Sequence, residues 1–236
     1  MVGVTIIKRD AADYHVDEAF RVLRTNLQFC GEDKKVIAVT SSIPGEGKSS
    51  VSLRLAMSLA EVDKKVIFVD ADLRKSVLSG KISGNDQRKG LSHYLSGQAA
   101  LPNVVCNTNI NRLHLIMTGP VPPNPSELLN DTAFIKMIGA LRQVYDYVII
   151  DTPPLGSVID SAIIAEKCDG AVLVIESGKV SGHFVEENIK QLQKSGCPIL
   201  GAVLNKMDRS QKGRYGKYYG KYGRKYSKYG EEYVGR

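Results

Sequence analysis

The sequence predicts an α/β fold, a doubly wound and mostly parallel sheet of the P-loop nucleotide-binding type, followed by a disordered C-terminal tail. Three observations carry that expectation. Short β-branched apolar runs recur along the chain, helical stretches separate them, and the first run opens into a serine- and glycine-rich turn that leads straight into a helix. Apolar runs without alternation suit strands buried on both faces. Alternating strand and helix implies right-handed βαβ crossovers, with ligands bound beyond the carboxyl ends of the strands.

In chain order the expected strands are 36–40, 66–70, 113–117, 147–151, 171–176 and 199–205. Helices are expected over roughly 49–62, 127–145, 159–167 and 181–195. Ahead of the first strand, Val16, Phe20, Leu23, Leu27 and Cys30 repeat at spacings of four and three. They form the apolar stripe of a helix over 15–30, with Glu18, Arg21 and Arg24 on a different face.

Composition narrows the class. The chain has 32 Lys+Arg against 25 Asp+Glu, a formal net charge of +7, and a pI near 9.1. Residues 1–208 contain 23 basic and 23 acidic side chains, whereas 209–236 contain nine basic and two acidic. The whole excess therefore belongs to the tail, and the neutral body does not read as a nucleic-acid binder. The whole chain is 43% hydrophobic and 24% charged, and residues 1–208 are enough for one soluble domain. The longest strictly apolar run is five residues, 171–175, far short of the roughly 20 needed to span a bilayer. No secretory signal is visible at the N-terminus. Four dispersed cysteines without a CxxC pair suggest neither a disulfide framework nor a zinc site. The expectation is a cytoplasmic protein.

The chemistry gathers at strand ends. After the first run come Ser41, Ser42, Ile43, Pro44, Gly45, Glu46, Gly47, Lys48, Ser49 and Ser50. The usual GxxxxGK[ST] pattern is met except at its first glycine, which is Ser42 here. In such a loop, Pro44–Ser50 wrap nucleotide phosphates with backbone N–H groups. Lys48 supplies a point charge and Ser49 a hydroxyl for Mg²⁺. The second run ends in Asp70, Ala71, Asp72, Leu73 and Arg74. Carboxylates two residues apart on an extended chain point the same way, toward the phosphates, although Asp72 also suits a helix cap. A third aspartate, Asp151, closes the run 147–151 in the Walker B position, where it would hold Mg²⁺ or its waters. At the last strand Asn205-Lys206-Met207-Asp208 reads as NKxD, a guanine-recognition pattern. Asp151 is followed by Thr152-Pro153-Pro154 rather than a DxxG, and 61–65 leaves no room for a switch threonine. An adenine contact from Asn205 is the better expectation, with capping as the alternative.

Taken together, these motifs resemble the bacterial tyrosine kinases of capsule and exopolysaccharide synthesis, P-loop proteins related to the partitioning and division-site ATPases. The resemblance is carried by Pro44–Ser49, with Ile43 where the partitioning ATPases have an extra lysine, and by Asp70–Arg74. It also rests on the stretch Gly119-Pro120-Val121-Pro122-Pro123-Asn124-Pro125-Ser126-Glu127-Leu128-Leu129, on Glu18–Arg24 as an ExxRxxR segment, and on a terminal tyrosine cluster. It implies ATP- and Mg²⁺-dependent phosphorylation of tyrosine, largely between subunits, with Lys48, Asp70, Asp72 and Asp151 catalytic and Ser49, Asp72 and Asp151 around the metal. Asp70 is the candidate to accept or orient the phenolic proton. Glu18, Arg21 and Arg24 would join subunits into a ring-like homo-oligomer. The resemblance further implies a separate membrane-spanning adaptor that recruits the protein to the inner face of the membrane, and a cognate tyrosine phosphatase. No nucleic-acid partner is expected. The runner-up reading is a partitioning-type ATPase with a DNA- or membrane-binding tail, and a third is a nucleotide-sensing scaffold.

Seven of the eleven tyrosines fall in the tail: Tyr215, Tyr218, Tyr219, Tyr222, Tyr226, Tyr229 and Tyr233. Six glycines among them oppose a helix, each costing about 1 kcal/mol relative to alanine. Val234 is the segment's only aliphatic residue, so a disordered segment is expected. Such a tail could bind RNA, lie on an anionic membrane, or serve as the kinase's own substrate. The phosphate site in the body favours the last.

Overall fold

The computed structural model describes residues 2–6, 14–83 and 89–207. The seven tail tyrosines and Asp208 lie outside the described residues, as does the expected disorder of the tail. A single compact unit ends at Asn205.

The elements run β1 (Val2–Ile6), α1 (Tyr14–Phe29), β2 (Val36–Ser41), α2 (Lys48–Ala60), β3 (Val66–Asp70), a 3₁₀ turn (Leu78–Lys81) and β4 (Ile82–Ser83). They continue with α3 (Leu91–Leu95), α4 (Leu101–Val104), β5 (Val105–Thr108), β6 (Leu113–Ile116), α5 (Pro125–Asn130) and α6 (Thr132–Val144). The last are β7 (Tyr147–Asp151), α7 (Asp160–Ala165), β8 (Gly170–Glu176), α8 (Gly182–Lys194) and β9 (Ile199–Asn205). The strands form a nine-stranded sheet in the order β4-β1-β5-β6-β3-β7-β2-β8-β9.

The six expected strands are present and form the continuous parallel block β6-β3-β7-β2-β8-β9. Its middle strands β2, β3 and β7 are buried end to end, which explains their unbroken apolar composition. The strand period still sorts side chains between the two faces. Ile37, Val39, Phe68 and Ile149 meet α1 and α2 through Leu27, Leu55 and Leu59. Ile67, Val69, Val148 and Ile150 meet Phe134, Met137 and Leu141 of α6 and Ile164 of α7. Each fully buried large side chain contributes about 1.5–3 kcal/mol relative to exposure.

Two expectations change. The sheet extends further, through β5, β1 and β4, and there it is mixed: β5 runs antiparallel to β6, and β4 antiparallel to β1. The single helix expected over 127–145 is two. Asp131 lies outside helical geometry between α5 and α6, and its carboxylate accepts from Ala133 N at 2.8 Å, capping α6.

The N-terminal helix forms as expected and packs its stripe on the core through Phe20, Leu23 and Leu27. Arg21 pairs with Glu18 at 3.3 Å on the exposed face. Arg24 is turned inward instead, donating to Ser58 O at 2.7 Å and Ser58 Oγ at 3.1 Å in the last turn of α2. It satisfies a carbonyl that the end of α2 leaves open. Arg24 is therefore not presented beside Glu18 and Arg21 as one outward-facing set.

Candidate active site

The site lies at the carboxyl ends of β2, β3 and β7, adjacent strands in which Val39 and Asp70 both pair with Asp151. Between β2 and α2 the chain must turn from extended to helical within a few residues. Gly47 makes that turn at φ 90° as the α2 N-cap, a left-handed conformation that costs glycine nothing. α2 then starts at Lys48 and Ser49, both nearly buried, and its first N–H groups face the loop with the positive end of the helix dipole behind them.

Lys48 Nζ reaches Asp151 Oδ1 at 2.9 Å and Ser49 Oγ at 3.2 Å. Ser52, one helical turn beyond Lys48, donates to Asp151 Oδ1 at 2.9 Å and to Lys48 O at 3.0 Å. The Asp151 carboxylate is thus fixed by a lysine and a hydroxyl of α2. Beside it Asp70 has no exposed surface. Its Oδ1 accepts from Asp72 N at 3.3 Å and its Oδ2 from Ser76 Oγ. Burial first, and then the facing Asp151 carboxylate, push Asp70 up to about 7. Asp72 accepts from Lys75 N at 3.0 Å and keeps slight exposure. The five groups expected from the sequence, Lys48, Ser49, Asp70, Asp72 and Asp151, all belong to this corner of the fold.

The other loop residues divide. Pro44 and Gly45 are exposed. The Glu46 side chain is fully buried: Oε2 accepts from Ile43 N at 2.9 Å and Oε1 from Glu176 N at 3.0 Å. It braces the loop against β8, and its carboxylate does not face a ligand. Asn205 Nδ2 donates to Glu46 O at 2.8 Å, so its amide nitrogen supports the loop, and an adenine contact would fall to its oxygen. Ser42, standing where the usual pattern has glycine, is buried, and among the described residues its Oγ finds no hydrogen-bond partner.

A second cluster was not foreseen. Asp160, fully buried at the start of α7, receives Arg74 Nε at 2.8 Å, Arg74 Nη2 at 3.1 Å and Ser126 Oγ at 2.6 Å. Arg74 Nη2 also reaches Ser126 Oγ at 2.9 Å. Three segments meet here: the turn carrying Asp70 and Asp72, the proline-rich stretch 119–129, and the loop that follows Asp151.

The comparisons with known proteins agree with this geometry. A family model described as "AAA domain" matches residues 34–196. A tyrosine-protein kinase, CpsD of Streptococcus agalactiae, is 47% identical over 204 residues, covering 86% of this chain and 89% of the relative. The chain belongs to the bacterial tyrosine kinases. The solved kinase domain of the Escherichia coli tyrosine kinase ETK superposes with a TM-score of 0.78 at 31% identity, covering 89% of this kinase and 91% of that chain. The septum site-determining protein MinD of Pyrococcus horikoshii, solved with Mg-ADP, gives 0.64 at 27% identity over 75% of this kinase and 72% of that chain. The kinase is therefore an ATP-using P-loop enzyme. Among the described residues, no helix is long and apolar enough to cross a membrane.

Proposed function

We propose that this kinase phosphorylates the C-terminal tyrosines of a neighbouring copy and thereby regulates synthesis and export of a capsular or extracellular polysaccharide. The observation that carries this reading is the convergence of Lys48, Ser49 and three carboxylates on one phosphate-binding corner. The kinase name shared by the relatives supports tyrosine as acceptor. The seven tail tyrosines then supply acceptors on the chain itself.

In this mechanism backbone N–H groups of residues 45–48 hold the phosphates. Lys48 exchanges Asp151 for phosphate oxygen, stabilising charge on the transferred group. The donor set fits a hard divalent cation, since the candidate atoms are the Ser49 hydroxyl and the Asp72 and Asp151 carboxylates, all oxygen. Burial first, and then the neighbouring Asp151 carboxylate, disfavour a second negative charge at Asp70. Among the described residues no cluster of His, Cys, Asp or Glu could hold an ion unaided. When bound there with the nucleotide, Mg²⁺ would supply positive charge that offsets these carboxylates and the phosphates.

In the transfer the acceptor Oη–Pγ bond forms, the bond from Pγ to the leaving oxygen breaks, and ADP departs with that oxygen. Asp70 receives or orients the phenolic proton. At about 7 it lies nearer the phenol's value of about 10 than an ordinary carboxylate does. Ser76 must release Asp70 for it to act. Each phosphotyrosine adds about −1.5 to −2 charge, so full modification would reverse the sign of a tail that starts at +7. That reversal would release the tail from its neighbour. Glu18 and Arg21 on the exposed face of α1, with Arg24 holding α1 in place, would serve ring-like self-association. A separate membrane-spanning adaptor would recruit and activate the kinase, and a tyrosine phosphatase would reset it.

The test is intact-mass measurement after incubation with ATP and Mg²⁺, with and without the adaptor's cytoplasmic segment. Phosphate on the tail, lost in Lys48→Met, is the expected result. Free phosphate with unmodified protein under both conditions would point to the partitioning-type ATPase instead.

A further inference from the structure

The loop after β8 brings a second lysine to the P-loop. Lys179 Nζ lies 3.6 Å from the point at which Gly45 would carry a Cβ. A tight turn sets this position: Lys179 N donates to Glu176 O at 3.3 Å, and Gly178, its third residue, has φ 72°, the sign that a type II turn requires there. The turn is anchored on the same groups that shape the P-loop. Glu176 N donates to the buried Glu46 carboxylate at 3.0 Å, Ser177 N to Asn205 O at 2.9 Å, and Asn205 Nδ2 to Glu46 O at 2.8 Å.

The Lys179 ammonium pairs with Glu176 Oε2 at 2.9 Å, and the two side chains are 40% and 20% exposed. A partly solvated pair of this kind is weak and readily exchanged. A nucleotide's phosphate chain is a stronger partner, because it concentrates negative charge on several acceptor oxygens. The corner it enters is short of positive charge, since Lys48 is engaged by Asp151 at 2.9 Å and Asp70 and Asp72 are close by.

We propose that Lys179 is a second phosphate-binding lysine, whose ammonium leaves Glu176 on nucleotide entry and binds the phosphate chain beside Gly45. This deepens the reading of the P-loop as the ATP site and rests on it. Arginine in place of Lys179 keeps the charge and the reach. Glutamine removes the charge and keeps the approximate length. Glu176→Gln frees the ammonium without touching the loop's backbone bonds. A phosphate-binding role and a loop-bracing role therefore predict opposite responses to Glu176→Gln.

The deciding experiment is calorimetric titration of the full chain with ATP, ADP and adenosine, at low and high salt, for the parent and four variants. Lys179→Gln should weaken ATP and ADP about five- to tenfold at low salt and less at high salt, with adenosine unchanged. Lys179→Arg should restore most of the affinity, and Glu176→Gln should leave ATP binding unchanged or tighter. Unchanged ATP affinity in Lys179→Gln would overturn the inference, as would equal weakening in Lys179→Gln and Glu176→Gln, or an equal loss for adenosine. Lys48→Met separates the two levels. If it binds ATP as tightly as the parent, the P-loop assignment fails and takes this inference with it. If it loses ATP while Lys179→Gln does not, only the inference fails.

Discussion

Arg74 and Asp160 form a two-point ion pair, Nε to Oδ2 at 2.8 Å and Nη2 to Oδ1 at 3.1 Å, that joins the Asp70–Asp72 turn to the start of α7. The pair is asymmetric: the Asp160 side chain has no exposure, whereas that of Arg74 is 40% exposed. Removing the arginine strands a buried carboxylate, while removing the carboxylate leaves a guanidinium that water can reach. Arg74→Gln should therefore destabilise the fold by roughly 3 kcal/mol, and Asp160→Asn by about half as much. Urea unfolding of both variants checks the order, and equal losses would contradict it. The relay through Ser126 adds a consequence for activity: Ser126→Ala should lower kcat more than it changes nucleotide affinity, because the turn carrying Asp70 and Asp72 loses a tether.

The raised Asp70 gives a pH dependence with a definite sign. Its value in the fold is about 7 against an ordinary 3.8, so the fold favours its neutral form. The associated stability is complete below about pH 4 and is lost as pH rises through 7, by at most about 4 kcal/mol. In nucleotide-free protein without Mg²⁺, Asp70→Asn should unfold at a higher temperature than the parent at pH 8 and at a similar temperature near pH 4.5. Parallel melting profiles for the two across that range would contradict the assignment.

Ser42 offers a stabilising change. Its buried Oγ has no hydrogen-bond partner among the described residues, and an unmet hydroxyl in such a place costs about 1–3 kcal/mol. Ser42→Ala should raise the melting temperature and leave ATP affinity within twofold of the parent. A lower melting temperature would mean that the hydroxyl has a partner after all.

Glu46 should behave in the opposite way. Both of its carboxylate oxygens accept backbone N–H groups, from Ile43 and Glu176. Glutamine would turn an N–H₂ group toward one of those donors. Glu46→Gln should cost about 2 kcal/mol and weaken ATP binding through loss of loop shape, which thermal melting and nucleotide titration would show together.

The parallel block was legible because its strands are buried on both faces and so read as unbroken apolar runs. β1, with alternating burial, and β5, buried only at Val105 and Cys106, carry no such signature. They become strands by pairing with each other and with β6. The break at Asp131 was written as Asn130-Asp131-Thr132, a capping signature masked by apolar spacing that continues across it. In the site, Lys48, Ser49, Asp70, Asp72 and Asp151 could be found because each ends a strand or follows one within a short loop. Ser52 was within reach, four residues beyond Lys48 on the same helix face. Asp160 and Ser126 were not, because their partners lie on other segments, and neither was the approach of Lys179 to Gly45, which only the fold brings about. The role of the Glu46 side chain was hidden for a related reason: one of its two donors, Glu176 N, belongs to a distant strand.

The most direct measurement of the central claim mixes two variants of this kinase. One is Lys48→Met with the tail intact, and the other is active but has all seven tail tyrosines changed to phenylalanine. With ATP, Mg²⁺ and the adaptor's cytoplasmic segment, phosphate should accumulate on the tail of the Lys48→Met chain, read by mass, and on neither variant incubated alone. An unmodified Lys48→Met tail in the mixture, under conditions where the parent modifies its own, would contradict transfer between copies.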